Sequence, residues 1–408
     1  MDSREGVQVT EAIPEATSRP RYRDTRFDLR TLVSTTAAHF INDFYVAFLA
    51  PLLPLVVTRF NLSLTLAGLL ATILNTSAAM SQPLFGAAAD RMHRRIFVIL
   101  GPALTVMAMG LMGLAPSYAS LVVLLMIAGT GTASFHPQGA STAGHASGPR
   151  KGIGMSLFVS GGELGYALGP LIIALVVAAY GLEVTWLVAL PGVVVCLGLW
   201  RTVAPQTVVH AERTRTLRAD LRGAMRPLAM LWLVVVLRSI IILSYITFLP
   251  LLLRARGSSI VAGGAAVFLF GGTGAIGGLL GGALSDRIDR RRVLALSLAL
   301  GTPLLGGFIQ RQDPWAYVFL ALGGVSIYLS AAVTIVMAQE LLPHRAGVAS
   351  SIVMGLAWAV AGISLTAVGA LADAVGLSTA LTAVLTLGVV ALVLVFVLPN
   401  IRETAITR

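Results

Sequence analysis

The sequence predicts an all-α integral membrane protein of twelve transmembrane helices, arranged as two six-helix pseudo-symmetric halves. Three observations carry this prediction. The chain is 56 % hydrophobic and only 12 % charged, whereas a soluble domain carries about 25 % charge, so there is too little polar surface to coat a water-facing globule. Twelve apolar runs follow one another, each near or above the ~20 residues a helix needs to cross the hydrocarbon core. Finally, GAAADRMHRR at Gly86–Arg95 returns as GALSDRIDRR at Gly282–Arg291, an offset of 196 residues in a chain of 408. A repeat of that length is no solenoid period; it reads as one unit used twice.

The apolar runs fall at 32–57, 65–89, 96–114, 119–142, 152–180 and 184–203, then at 228–253, 260–284, 293–311, 314–339, 346–374 and 378–399. The implied divisions are a tail 1–30, a six-helix bundle 31–203, a linker 204–227, a second bundle 228–399 and a tail 400–408. The first 30 residues mix acids with arginines and lack the apolar stretch of a secretory signal; a solvated tail is expected. The formal net charge is +11. Counting Arg201 at the end of the sixth run with the linker, all but five of the lysines and arginines fall in the tails, the linker and the loops after even-numbered runs. By the positive-inside rule both termini are cytoplasmic, and the inner (plasma) membrane is the expected location. The arginines of the linker suit anionic lipid headgroups. They lack the aromatic interleaving of a nucleic-acid site, so the bilayer, not nucleic acid, is the expected partner. Cys196 is the single cysteine, which excludes an intrachain disulfide and a cysteine-based metal site.

In the first run, His39 and Asp43 are four apart and share a helix face, with Asn42 beside them. Pro51 and Pro54 can bend the outer part of this helix. The second run is rich in Gly, Ala and Ser, which favours close packing. The fourth holds Phe135-His136-Pro137, and the proline is expected to break the helix and free a carbonyl. Glu163 follows two glycines in the middle of the fifth, and Arg238 lies about ten residues into the seventh. The glycine-dense GGTGAIGGLLGG of the eighth lacks the lysine and the preceding strand of a phosphate loop.

Ionisable groups this deep cost roughly 2.5–3.5 kcal/mol each on insertion scales, and their default reading is functional. Asp43, Glu163, His39 and His136 are therefore candidates for carrying protons. Arg238, always charged, is the candidate anchor for an anionic solute, with Asn42, Phe135 and Trp358 beside it. Trp358 takes the place of Glu163 when the second half is laid on the first at an offset of 195, and reads as a stacking wall. His136 and Asp43 suit a transition ion, but no dense ligand cluster is visible and no metal or cofactor is expected. Nor does any nucleophile–base pair point to an enzyme. Asp90 and Asp286 sit at helix ends, where a carboxylate is favoured near another helix's N-terminus. With Gly86, Arg91, Arg94, Gly282, Arg287 and Arg290 they read as latches between the halves, and Glu340 is expected to join through Arg287 or Arg291.

Two halves of six helices, each with G-x-x-x-D-R-x-x-R-R after its second helix, resemble the major facilitator superfamily, whose members are built as two parallel six-helix repeats with the binding site near the midplane. AHFIND at 38–43, GTGTASFHP at 129–137, GGELGYALGP at 161–170 and AQELLP at 338–343 resemble its fosmidomycin-resistance branch over roughly residues 35–398. Gly165-x-x-x-Gly169-Pro170 is similar to part of a motif of proton-coupled exporters, and reads equally as a close-packed helix pair. Members of the branch often carry asparagine where Glu163 stands. The resemblance implies a secondary transporter, monomeric, that exports small polar or anionic compounds in exchange for protons. Uptake by symport, sodium as the coupling ion, and a non-transporting receptor or scaffold on the same fold are the alternatives.

Overall fold

A computed structural model describes residues 27–89, 94–203, 224–342 and 345–399. The first half contains α1 Leu29–Phe60, α2 Leu64–Met80, α3 Arg95–Leu114, α4 Tyr118–Ala146, α5 Gly152–Tyr180 and α6 Leu182–Thr202. The second contains α7 Met225–Ala255, α8 Ile260–Ser285, α9 Arg290–Gln310, α10 Trp315–Leu341, α11 Val348–Val375 and α12 Leu377–Val397. Eleven are long and apolar enough to cross a membrane. The exception, α2, has 17 residues and is continued past Ser81 by Gln82–Ala89. Residues 1–26 of the first tail, the whole of the last tail and most of the linker lie outside the described residues.

Local breaks follow from chemistry. The first helix is interrupted at Ala47–Phe48. Pro51 has no N–H to offer the carbonyl of Ala47 four residues back, and its ring crowds that carbonyl. By contrast Pro137 does not break α4, which runs continuously from Tyr118 to Ala146; the expected break at this position is absent. The α10 helix is interrupted at Leu329–Ser330, which turns the Ser330 side chain toward α7.

The halves repeat each other's packing: α1 lies on α5 as α7 lies on α11, α3 on α4 as α9 on α10, and α2 on α4 as α8 on α10. Small residues make these approaches close, since lipid offers no hydrophobic drive and packing must come from surface fit. The halves meet most extensively along two seams, α2 with α11 and α5 with α8, and the outer part of α1 also packs on α7 and α8. At the first, Gly68 lies against the carbonyl of Leu365; at the second, Gly264 lies against the carbonyl of Pro170. These two contacts occupy corresponding positions in the repeat. Both lie toward the end of the bundle opposite Leu29 at the start of α1 and Val397 at the end of α12, called the far end below.

Candidate functional site

The site is assembled from α1, α4 and α5 in one half and α7 and α10 in the other. On α5, Gly161, Gly162, Gly165 and Gly169 press against Thr36, the His39 ring, the Phe40 carbonyl and the Phe44 carbonyl of α1. The Gly165–Gly169 motif is therefore a close-packed helix pair here. A methyl group on Gly162 would overlap the His39 imidazole. The ring thus sits against bare backbone, stacked on Phe158 with centroids 4.2 Å apart.

Asp43 is the hub. Its Oδ1 accepts from Asn42 Nδ2 at 2.9 Å and from His136 Nε2 at 3.0 Å. His39 Nε2 stands 3.3 Å from Oδ2. The other nitrogen of His39, Nδ1, is 2.8 Å from the carbonyl oxygen of Phe158. A carbonyl can only accept, so Nδ1 carries a hydrogen. Neutral His39 then presents a lone pair at Nε2 to the carboxylate. The contact is attractive only with one proton between them, held either on the imidazole or on the acid. Side-chain exposure is 12 % for His39, 15 % for Asp43 and 34 % for His136, so access to the hub runs past His136.

His39, Asp43 and His136 offer ligand atoms within 4.8 Å of one another. The dense cluster that the sequence does not display is formed by α1 and α4 together. Its spacing would also suit a transition ion; His136 shares a hydrogen bond with Asp43, and His39 stands against the second carboxylate oxygen.

Asn42 and Phe135, expected beside a solute, are both fully buried. Asn42 Oδ1 is held by Thr105 Oγ1 at 3.0 Å and approached by Thr132 at 3.5 Å. Phe135 packs on His39 with ring centroids 5.6 Å apart. Both stand behind the acid centre and support it. Glu163, one residue past Gly162, has an exposed side chain within electrostatic reach of His39 and Asp43.

Across the halves, Arg238 is 5 % exposed. Its Nη1 donates to Ser330 Oγ at 2.7 Å, and Ser330 is 2.9 Å from Ser297 Oγ. The Arg238 Nε has no partner among the described residues, and no carboxylate among them pairs with this guanidinium. Tyr328 on α10 lies within electrostatic reach of Arg238, Glu163 and Tyr166, so the tyrosines Tyr166 and Tyr328 span the distance between the acidic and basic halves. Toward the far end an inter-half cavity is lined by Ala50 and Leu53 of α1, Asn75 of α2, Tyr166 of α5 and Thr247 of α7, among others. Trp358 is half-buried and packs against the core. Neither the tyrosines nor the serines were singled out by the sequence, since neutral polar residues carry no spacing that marks them.

The latch residues are arranged differently from expectation. Arg290, rather than Arg287 or Arg291, pairs with Glu340, and both belong to the second half. This pair staples α9 to α10 and does not join the halves. Asp286 and Arg287 are exposed, and Asp286 makes no ion pair among the described residues. Gly282 is open on its side-chain face. Asp90 and Arg91 lie outside the described residues, as do the surroundings of Gly86 and the side chain of Arg94.

A bundle of two six-helix halves with repeated packing, an acid centre inside one half and a buried cation inside the other, has the architecture of a membrane transporter of the two-repeat kind. The sequence profile of the Major Facilitator Superfamily matches residues 35–366, and the chain belongs to that family. It is 30 % identical to the uncharacterized MFS-type transporter YfnC of Bacillus subtilis (strain 168) over 383 residues, 90 % of this chain and 92 % of that protein. It is 28 % identical to the Fosmidomycin resistance protein of Escherichia coli (strain K12) over 351 residues, 84 % and 86 % of the two chains. Among solved structures, a bacterial homolog of the human lysosomal transporter Spinster, inward-facing and unoccupied, superposes with a TM-score of 0.79 at 17 % identity, covering 94 % of this chain and 98 % of that one. A point mutant of the nucleoside transporter NupG superposes with a TM-score of 0.77 at 10 % identity, covering 91 % and 100 %.

Proposed function

We propose that this protein exports a small polar or anionic solute in exchange for protons, by alternating access across the inner membrane with both chain termini in the cytoplasm. The observation that carries the reading is the His39–Asp43 contact, which is stable only with one proton between Nε2 and Oδ2. Loss of that proton sets a lone pair against a carboxylate, so protonation and local geometry are tied together. Glu163 and His136 extend the proton-handling group toward the opening. Arg238, buried without a counter-ion among the described residues, binds the anionic end of the solute, and Trp358 walls the chamber. A solute anion at Arg238 and a proton at the acid centre then alternate. Each net charge moved is worth about 2.3 kcal/mol per 100 mV of membrane potential. Similarity to a fosmidomycin resistance protein supports export of an anionic antibiotic as the direction of transport.

The test is flux in proteoliposomes under an imposed pH gradient, with labelled fosmidomycin as the first probe. Asp43→Asn and Glu163→Gln should keep exchange of solute for solute and lose most of the gradient-driven flux. Arg238→Ala should lose affinity for anions and spare neutral solutes. If both carboxylate variants respond to the gradient as the parent does, proton coupling through these residues is ruled out and a sodium-coupled or passive carrier is the better reading.

A further inference from the structure

The far end contains a bond set that crosses the halves. Asp373, near the end of α11, reaches the first turn of α2. Its Oδ1 accepts the backbone N–H of Leu64 at 2.8 Å, and its Oδ2 accepts the N–H of Thr65 at 2.8 Å and the Thr65 hydroxyl at 2.5 Å. Helices begin with N–H groups that have no partner inside the helix. In α2 the local cap is Ser63, whose hydroxyl accepts from the Leu66 N–H and also lies within hydrogen-bonding reach of Asp373. The remaining donors at Leu64 and Thr65 are met by a carboxylate from the other half of the molecule, where the helix dipole also favours a negative charge.

Pseudo-symmetry supplies a control within the same molecule. The α5–α8 seam repeats the glycine–carbonyl contact of the α2–α11 seam, and Ser259 caps α8 through Ala262 N–H as Ser63 caps α2. At the offset of 195, however, the counterpart of Asp373 is Ala178. The two seams share their packing, and one of them alone has the carboxylate. Packing therefore does not require Asp373. We propose that Asp373 is a latch that holds the far-side gate shut, engaged when the α2–α11 seam is closed and released when the far end opens. The inference rests on the alternating-access reading and adds to it the seam at which opening is controlled.

The experiment is site-specific labelling of the purified, reconstituted full chain. Ala50→Cys in a Cys196→Ala background places one thiol in the far-side cavity, and a membrane-impermeant maleimide is applied from that side. Charge-assisted hydrogen bonds are about twice as strong as neutral ones, so removing three together with Asp373→Ala should raise the labelling rate by about tenfold. Asp373→Asn, which keeps one acceptor, should fall between. Ala178→Asp, which would place a carboxylate opposite Ile260 and Val261 at the second seam, should slow labelling below the parent. A parental rate in Asp373→Ala overturns the latch. If that variant fails to fold, Thr65→Val removes one donor and gives a smaller rise, and a parental rate there overturns it equally. Labelling needs neither solute nor gradient, so its outcome is separate from that of proton coupling.

Discussion

Thr105 Oγ1 stands 3.0 Å from Asn42 Oδ1, and this contact decides which end of the Asn42 amide faces Asp43. With the oxygen held on the α3 side, the amide nitrogen is left to donate to the carboxylate. Thr105→Val removes the hydroxyl and leaves the buried Asn42 oxygen short of a donor, which should cost about 1–3 kcal/mol of stability. Thr105→Ser should restore it. Thermal unfolding in detergent reads the stability, and gradient-driven flux should fall in the valine variant and recover in the serine variant.

Gly162 leaves room for the His39 ring, and a methyl group there would overlap it. Overpacking of this kind costs about 1–3 kcal/mol, and relief requires the imidazole to move away from Asp43. Gly162→Ala should therefore lose gradient-driven flux more than it loses stability. Gly144→Ala, at a glycine whose nearest neighbour would be 3.7 Å away, is the matched control and should behave as the parent.

Glu340 pairs with Arg290 at a partly exposed site. Exposed pairs contribute about 0–1 kcal/mol, so Glu340→Gln should lower stability by about 1 kcal/mol or less. A double-mutant cycle with Arg290→Gln should show coupling, and cycles of Glu340 with Arg287 or Arg291 should show none. Because the pair lies within one half, far-side accessibility should be unchanged.

Asp28 caps α1, accepting from the Thr31 hydroxyl at 2.5 Å and from the Thr31 N–H at 3.0 Å. The Thr31 hydroxyl is the main cause that holds this carboxyl below its ordinary value of 3.8. The folded state thus binds this proton more weakly than the unfolded state does. The stabilisation is complete above the ordinary carboxylate range and declines as pH falls through it. Asp28→Asn should flatten that acid-side loss, read as the thermal midpoint between about pH 6 and pH 3 against the parent.

Much of the architecture is legible in the sequence because hydropathy and helix length are local properties. The run 228–253 lies within α7, Met225–Ala255, and the run 378–399 overlaps α12, Leu377–Val397. His39 and Asp43 can be read as one face because four residues make about one turn. The partners that complete the site are not legible. The Phe158 carbonyl is backbone and has no letter of its own. Thr105, Ser297 and Ser330 resemble the many neutral residues that back-bond within helices, as Thr35 does to the Thr31 carbonyl at 2.7 Å. Arg290 could not be told from Arg287 or Arg291 without the rotation of α9. Asp373 looks like an ordinary acid at a helix end until the two halves are aligned and Ala178 is found opposite it.

The seams at Gly68 and Gly264 set backbone against backbone. A zipper of interlocked side chains must withdraw each knob from its hole before it opens. A bare-backbone contact has no knob at that point, and one helix can roll over the other about it as a shaft turns in a bearing. Any bulk added there would act as a wedge: Gly68→Val or Gly264→Val would pry the far side apart and bias the protein toward the opposite access state, from a position that touches neither proton nor solute.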